Sequence, residues 1–161
     1  MSLHRAFILL GGNLGNRQAI LQQAAEAIAH RVGTVTRASS LYETAAWGKE
    51  DQPPFLNQVL EVHTRLPPDA LMETLLNIEQ ELGRVRTLKM GPRTIDLDVL
   101  LYDRLRHESP RITLPHPSLH LRRFVLEPLA ELAPHHVHPV LRQRIGTLLR
   151  TCPDPLAVTR L

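Results

Sequence analysis

Two aspartates, Asp96 and Asp98, stand two residues apart in an otherwise apolar run. Because side chains alternate along a β-strand, a strand over residues 94–102 would place both carboxylates on one face and the odd-numbered apolar residues, up to Leu101, on the other. Carboxylates about 6–7 Å apart repel each other by roughly 2–3 kcal/mol at an effective dielectric near 20. A divalent cation reverses that energy, and oxygen-only ligands favour Mg²⁺, which takes further ligands from water and substrate phosphates. The alternative is a solvated face on an edge strand.

Cationic side chains are concentrated in two stretches, residues 84–93 and 104–123, although the net charge of the chain is only +3. Guanidinium groups pair with phosphate oxygens in bidentate fashion, so such local clusters suit a nucleotide better than a long duplex. For any single arginine the alternative is a solvated surface charge. His116 lies between two prolines and is a candidate phosphate ligand in a rigid turn. The candidate phosphate-binding cations are Arg84, Arg86, Lys89, Arg93, Arg111, Arg122 and Arg123.

A polar residue, Asn57, shares one face of a predicted strand with Phe55 and Val59. An amide in that setting is either hydrogen-bonded within the core or available to the polar edge of a heterocycle, with Phe55 as a stacking surface. Glu79 flanks the apolar stripe of a predicted helix, and a solvated helix flank is the default expectation for it.

Two further patterns are weaker. The turn at residues 11–15 (GGNLG) follows a predicted strand and precedes a predicted helix, so its amides could face an anion, or its glycines could simply permit positive φ. It matches neither the P-loop nor the dinucleotide-binding pattern. His135, His136 and His138 have no cysteine partner and no fixed helical spacing, so we expect surface histidines there.

The hydrophobic pattern predicts the elements that must position these residues. Strands are expected at residues 5–10, 34–42, 55–64 and 94–102, helices at 16–30 and from Pro67 to a cap at Gly83, and two short helices near 124–132 and 140–150. Residues 43–54 show no clear hydrophobic period, and this absence predicts a loop with a functional role. The order β-α-β-β-α-β predicts an α+β, ferredoxin-like sandwich with C-terminal extra helices. The length suits a single domain over residues 1–161.

Composition narrows the class of protein. A hydrophobic content of 43% with 22% charged residues is typical of soluble globular proteins. Cys152 is the only cysteine, which excludes an intrachain disulfide and a cysteine-based metal site. The apolar run at residues 6–10 is too short for a signal peptide or a membrane span. We therefore expect a cytoplasmic protein.

From end to end the sequence resembles the hydroxymethyldihydropterin pyrophosphokinase family. The matching segments occur in the order of the family: GGNLG at 11–15, SSLYET at 39–44, DQPPFLN at 51–57, IExxLGRxR at 78–86, GPRTIDLD at 91–98, and LPHP at 114–117 followed by Arg122 and FVL at 124–126. The block at 91–98 is the most specific of these. Departures from the family pattern include Ala45-Ala46 in place of a proline-containing stretch, Phe55 without a tyrosine hydroxyl, and Met90 where some members have tryptophan.

The resemblance implies transfer of the pyrophosphoryl group of ATP to the hydroxymethyl oxygen of 6-hydroxymethyl-7,8-dihydropterin, with AMP as the leaving group. It implies two Mg²⁺ ions bound by Asp96 and Asp98. The implied catalytic residues are Arg84, Arg93, Asp96 and Asp98. The implied ATP-binding residues are Glu79, Arg84, Arg93, Ile95, Arg111, Thr113, His116 and Arg122. The implied pterin-binding residues are Thr44, Ala45, Ala46, Trp47, Phe55, Asn57 and Phe124.

Two other classes of protein share the predicted topology. An RNA-binding RRM domain needs aromatic residues on its central strands, whereas aromatics make up 4% of this chain and Asp96 and Asp98 would repel phosphate. A non-catalytic ferredoxin-like regulatory domain would not turn over ATP. We expect ATP and the pterin alcohol as small-molecule partners, no nucleic acid, no membrane, and a monomer.

Overall fold

The computed structural model describes residues 2–45, 53–83 and 94–161, which form an antiparallel sheet with helices packed on both faces. In chain order the elements are β1 (His4–Gly12), α1 (Arg17–Arg31), β2 (Gly33–Ala38), β3 (Tyr42–Thr44), β4 (Phe55–Thr64), α2 (Pro68–Glu81), β5 (Asp96–Tyr102), β6 (His107–Glu108), β7 (Thr113–Leu114), a 3₁₀ helix (Leu119–Leu121), α3 (Arg123–Leu132), α4 (Ile145–Arg150) and β8 (Val158–Arg160).

The strand β1 lies at the centre of the sheet, between β4 and β5. It pairs with β4 along its whole length, from His4 opposite Thr64 to Gly12 opposite Leu56. Both faces of β1 are covered, as its continuous apolar run predicts, because Ile8 packs into one core and Phe7 into another. The remaining edge of β4 pairs with β2 and β3, and β8 pairs with β3.

Two apolar cores hold the helices to the sheet. On one face, Leu21 and Ile28 of α1 and Leu75 and Ile78 of α2 pack on strand residues such as Leu10. On the opposite face, residues of α3 and α4 pack on the strands, in a core whose helical members include Val125, Leu126, Leu129, Ile145 and Leu148. The α+β, ferredoxin-like prediction with C-terminal extra helices is confirmed.

The predicted strand over residues 34–42 is two strands, β2 and β3. Ser39 interrupts the ladder because its hydroxyl accepts the N–H of Val59 at 2.9 Å, where a strand would use only backbone groups. β3 then continues to Thr44, so the predicted loop at 43–54 begins later than expected. Residues 46–52 of that loop lie outside the described residues.

A β-bulge in β5 changes which face Leu101 occupies. Ile8 pairs with Val99 and Phe7 with Leu101, so Leu100 is an extra residue on β5. Leu101 consequently packs in the core of the α3 face, not with Val99 in the core of the α1 face, and the prediction for Leu101 was wrong. The bulge follows the aspartates, which keep their common face.

The helix ends are close to the predictions, with one exception. α2 ends at Glu81, and Gly83 follows with φ +85°, a conformation that favours glycine. α4 begins at Ile145, later than the predicted start at residue 140, because Arg142 has a positive φ of 59° that interrupts a helix. Among the helices of the described ranges, none combines the length and the apolar composition needed to span a membrane.

His138 is buried, contrary to the expectation of a surface histidine. It is 3% exposed, and its Nδ1 accepts the backbone N–H groups of Val140 and Leu141 at 3.2 and 3.0 Å. The chain folds back over the ring in this short turn, which local sequence spacing does not reveal. Burial, followed by the nearby His120 and His136, lowers the pKa of His138 to about 4.

Candidate active site

The two aspartates and Asn57 lie on one face of the sheet, across three neighbouring strands. Asp96 of β5 is directly opposite Gly11 of β1, which is directly opposite Asn57 of β4. Directly opposed residues of antiparallel strands project from the same face, so a row of three positions spans about 10 Å. Asp98 lies on the same face, opposite Leu9, which packs in the core of the α3 face. The row therefore lies on the face that α3 covers further along the sheet.

Gly11 makes room for the side chain of Asn57. A Cβ atom on Gly11 would come within 2.7 Å of Asn57 Oδ1, so the amide lies directly over the glycine. Asn57 is 2% exposed, and within the described residues its Nδ2 has no hydrogen-bond partner. An unsatisfied buried donor costs about 1–3 kcal/mol, which a ligand acceptor would recover. Of the two readings of Asn57, this geometry favours the amide that binds a ligand.

Asp96 and Asp98 are both half-buried at the start of β5. Their donor set consists of carboxylate oxygens alone, which fits a hard cation such as Mg²⁺. No cluster of three or more metal-binding His, Cys, Asp or Glu side chains occurs within residues 2–45, 53–83 and 94–161. On the described chain, these two carboxylates are the residues that would hold such an ion.

Glu79 is buried, so the expectation of a solvated helix flank was wrong. It is 2% exposed, and its Oε2 accepts the backbone N–H of Leu97 at 2.7 Å. Leu97 stands between the two aspartates on β5, an edge strand that needs acceptors for its outward N–H groups. Glu79 is therefore a hydrogen-bonded link between the last turn of α2 and the aspartate strand. Ile95, immediately before that strand, is fully buried in the core of the α1 face.

His116 lies against the edge of β5. Its backbone N–H donates to Leu100 O at 3.0 Å, and its Nδ1 accepts the N–H of Ser118 at 3.1 Å. That second bond leaves the proton of the neutral ring on Nε2. Burial, and then the charge of Arg122, lowers the pKa of His116, so the ring is neutral at pH 7. A neutral ring that carries its proton on Nε2 can donate a hydrogen bond to a phosphate oxygen.

Arg122 and Phe124 stand together at the start of α3. The guanidinium carbon of Arg122 is 5.8 Å from the centre of the Phe124 ring, and Arg122 is exposed. Phe124 is half-buried and packs against the core of the α3 face, the same face that carries the aspartates. The charge of Arg122 also lowers the pKa of His116, after the larger effect of burial. Three predicted ligand-binding residues, Arg122, Phe124 and His116, are therefore near one another.

Two other predicted nucleotide ligands lie on the segment that leads into β7. Thr113 is exposed in β7, which packs beside β5. Arg111 is exposed, and its charge is close enough to Asp69, at the start of α2, to contribute to the lowered pKa of that carboxyl after the hydrogen bonds from Ser109 and His107. The roles of Thr113 and Arg111 stay predictions.

Three predicted pterin contacts lie where β3 and β4 meet. Thr44 ends β3 directly opposite Phe55, the first residue of β4. Thr44 is 5% exposed and its Oγ1 donates to Ala157 O at 3.3 Å, while Phe55 is half-buried and Ala45 is exposed. The other predicted site residues, Arg84, Arg93, Ala46 and Trp47, lie outside the described residues, as do Arg86, Lys89 and Met90.

The glycine turn contributes a side chain that the sequence analysis did not single out. Asn13 is 2% exposed and its Nδ2 donates to Pro53 O at 3.0 Å, which ties the turn to the chain that enters β4. Gly15 has φ +68°, so the turn requires glycine there. The signal available in the sequence was Asn13 itself, a short amide side chain within a glycine-rich turn.

Glu131 of α3 is a second residue that the sequence analysis missed. Its carboxylate accepts the N–H of Ser40 at 3.0 Å and the hydroxyl of Tyr42 at 2.6 Å, so it joins α3 to β3. These hydrogen bonds lower the pKa of Glu131 in spite of burial, which acts in the opposite direction and is the largest single influence. A polar position on a helix with a strong apolar stripe looks solvated in the sequence alone.

Comparison with known proteins identifies the family. The family model described as 7,8-dihydro-6-hydroxymethylpterin-pyrophosphokinase (HPPK) matches residues 7–134. A Bacillus subtilis 2-amino-4-hydroxy-6-hydroxymethyldihydropteridine pyrophosphokinase is 48% identical over 128 residues, covering 79% of this chain and 77% of the relative. The Methylorubrum extorquens protein of the same name is 45% identical over 160 residues, 98% of each chain.

Solved structures agree on the fold. One HPPK-DHPS chain, crystallised in complex with substrates, superposes with a TM-score of 0.75 at 15% identity, covering 93% of this chain but only 43% of the solved one. At that identity the likeness concerns the fold alone. Because the family model covers most of the chain and a relative matched over 98% of both chains is 45% identical to it, the chain belongs to the 7,8-dihydro-6-hydroxymethylpterin-pyrophosphokinase family of folate-synthesis enzymes.

Proposed function

We propose that this chain transfers the pyrophosphoryl group of ATP to the hydroxymethyl oxygen of 6-hydroxymethyl-7,8-dihydropterin, using the site around Asp96, Asp98 and Asn57. Membership of the family supports the reaction and ATP as co-substrate. The observation that carries the assignment to this site is the row of Asp96, Gly11 and Asn57 across β5, β1 and β4. It places a carboxylate pair and a buried amide donor about 10 Å apart on one face.

That separation suits two substrates bound side by side. The unsatisfied Nδ2 of Asn57 would donate to a heteroatom at the edge of the pterin, while Phe55 and Phe124 would contact its rings. Asp96 and Asp98 would hold Mg²⁺, two ions by the family resemblance, which when bound neutralises charge on the triphosphate. Glu79 would keep β5 in register with α2, and hence both aspartates in place.

The chemistry requires positioning more than covalent assistance. The hydroxymethyl oxygen attacks the β-phosphorus of ATP, the bond from that phosphorus to the oxygen bridging to the α-phosphate breaks, AMP leaves, and the hydroxyl proton passes to solvent. His116, through Nε2, and Arg122 would donate to phosphate oxygens, together with Arg84, Arg93 and Arg111. Thr113 and the backbone at Ile95 would lie near the adenosine, and Thr44, Ala45, Ala46 and Trp47 would frame the pterin.

The products decide this assignment. AMP and the pterin diphosphate should form only when ATP, the pterin alcohol and Mg²⁺ are all present. If ADP were the main product instead, the chain would transfer a single phosphoryl group, and the assignment would be wrong.

The fold also weakens the RNA-binding alternative. An RRM stacks bases on aromatic side chains of an open sheet. Here α3 and α4 cover part of the sheet face opposite α1 and α2, around a core that contains Phe7 and Leu9. We further propose a single catalytic domain that acts as a cytoplasmic monomer without nucleic acid. Size-exclusion chromatography with light scattering tests the monomer.

A further inference from the structure

The helix that carries Phe124 is capped by a residue from far along the chain. α3 begins at Arg123, and its N-cap residue Arg122 makes no side-chain capping hydrogen bond. Instead, the Oδ2 atom of Asp154 accepts the N–H of Arg123 at 3.1 Å. N–H groups in the first turn of a helix lack intrahelical acceptors, and the positive end of the helix dipole favours a carboxylate. Asp154 is 8% exposed, so water competes little for this bond.

The side chain of Arg123 strengthens the same junction. Its Nε donates to Asp154 O and its Nη2 donates to Cys152 O, both at 3.3 Å. Asp154 Oδ1 in turn accepts the N–H of Leu156 at 3.0 Å. One carboxylate therefore fixes both the start of α3 and the course of the chain after residue 154.

The chain after Asp154 runs directly to β3. Ala157 O accepts the hydroxyl of Thr44, and β8 pairs with β3 so that Val158 lies opposite Thr44. Residues 152–160 thus connect the start of α3 with the end of β3. These two places carry Phe124 and Thr44, which are predicted to contact the pterin from different elements.

We propose that Asp154 is a positioning residue for pterin binding, which holds Phe124 at a fixed place relative to Thr44. The inference rests on the proposed function, since it assumes that Phe124 and Thr44 contact the pterin. Asp154 lies beyond the residues 7–134 that match the family model, so family membership alone does not assign it this role. Asp154 acts through α3 and does not touch substrate.

Asp154→Ala should weaken pterin binding selectively. Losing a helix cap costs enough to predict an increase of about 3- to 30-fold in KM for the pterin alcohol, while KM for ATP and kcat stay within about two-fold. Asp154→Asn retains an acceptor oxygen and should return KM for the pterin to within about three-fold of the parent value. Calorimetric titration of the pterin in the presence of a nonhydrolysable ATP analogue should show the same order of affinities.

Asp103→Ala is the matched control. Asp103 also accepts a backbone N–H, that of Arg5 at 2.8 Å, but at the opposite end of β1 from Gly11. It should lower the melting temperature without a selective change in KM for the pterin. Equal increases in both KM values for Asp154→Ala, or a selective pterin effect of the same size for Asp103→Ala, would overturn the inference. A parent enzyme that forms no AMP would overturn the proposed function instead, while the calorimetric comparison would still test Asp154.

Discussion

At the residue scale, the position of Asn57 depends on the lack of a side chain at Gly11. The amide occupies space that any Cβ on Gly11 would enter, with only 2.7 Å to Asn57 Oδ1. Gly11 is paired with β4 on one side and with β5 on the other, so its backbone cannot move aside without disturbing the pairing of β1 on both sides. The same arrangement leaves Asn57 Nδ2 without a partner among the described residues, so the site contains an unsatisfied buried hydrogen-bond donor. Such a cost in the free protein becomes binding energy when a ligand supplies the acceptor.

Gly11→Ala should therefore damage pterin binding more than stability alone explains. Overpacking predicts a loss of about 1–3 kcal/mol in the free energy of unfolding, together with at least about a ten-fold increase in KM for the pterin alcohol because Asn57 is displaced. Urea unfolding and steady-state kinetics measure the two effects. Gly146→Ala is the control, since a Cβ there would meet Pro134 O at 3.2 Å, in α4. It should leave KM for the pterin alcohol unchanged, whereas an unchanged KM in Gly11→Ala would contradict the placement of the pterin.

The paired aspartates predict a metal-dependent phenotype. Asp96→Ala and Asp98→Ala should each lower kcat by about 100-fold or more, because each removes a charge that would hold Mg²⁺ against the triphosphate. The corresponding Asn variants keep one oxygen ligand and should retain more activity. In the parent, adding Mg²⁺ with a nonhydrolysable ATP analogue should raise the melting temperature, and the alanine variants should lose that increase. Turnover within a few-fold of the parent in both alanine variants would favour the solvated-face alternative.

At the element scale, the strand β5 depends on a side chain of another element. The sheet leaves β5 at an edge, and Glu79 supplies from α2 the acceptor for the N–H of Leu97, between the two aspartates. β1 pairs with the other edge of β5. The bulge at Leu100 lies beyond the aspartates, so the change of side-chain face that it causes does not affect them. The geometry of the aspartates is therefore set jointly by one neighbouring strand and one helix.

Glu79→Ala tests this link. It should lower the free energy of unfolding by about 1–3 kcal/mol, since the N–H of Leu97 loses its buried acceptor, and should lower kcat by disturbing Asp96 and Asp98. Glu79→Gln keeps an acceptor oxygen and should be milder. Glu81→Ala, two residues along the same helix, removes an exposed ion pair to Arg31 and should change stability by less than about 1 kcal/mol. Equal free energies of unfolding for Glu79→Ala and Glu81→Ala would contradict the proposed stabilising role of the Glu79–Leu97 hydrogen bond.

At the scale of the whole molecule, local pattern predicted the elements well and the distant contacts poorly. Strand β4 has the predicted bounds, Phe55–Thr64, because alternation and flanking prolines are local signals. The burial of Glu79 was missed because Glu79 accepts a hydrogen bond from β5, a strand that comes later in the chain and pairs with β1. His138 and the bulge at Leu100 were missed for the same reason: backbone pairing and chain reversal decide them, not spacing. The fold and the common face of the two aspartates could thus be anticipated, but not the strand register that aligns Asp96 with Asn57, nor the bonds that hold them in place.

Buried neutral histidines predict a characteristic loss of stability in acid. The pKa of His138 is about 4 in the folded protein, against an ordinary histidine pKa of 6.5, because burial disfavours the charged ring. Between these values the unfolded chain binds more protons than the folded one, so the free energy of unfolding falls as pH decreases from about 6.5 towards 4, by up to about 3 kcal/mol from this ring alone. His116 and His136, whose pKa values are also lowered by burial, act with the same sign.

His138→Asn separates the contribution of that one ring. The Asn side chain can keep an oxygen acceptor near the N–H groups of Val140 and Leu141 but takes up no proton, so the fall in stability between pH 6.5 and 5 should become shallower. It should not disappear, because His116 and His136 still titrate. Urea unfolding at half-unit pH steps measures the slope, and the window above pH 5 avoids most carboxylate titration. His30→Asn, which replaces an exposed ring in the last turn of α1, is the control and should leave the slope of the parent. Equal slopes in His138→Asn and the parent would mean that protonation of this buried ring does not drive acid destabilisation.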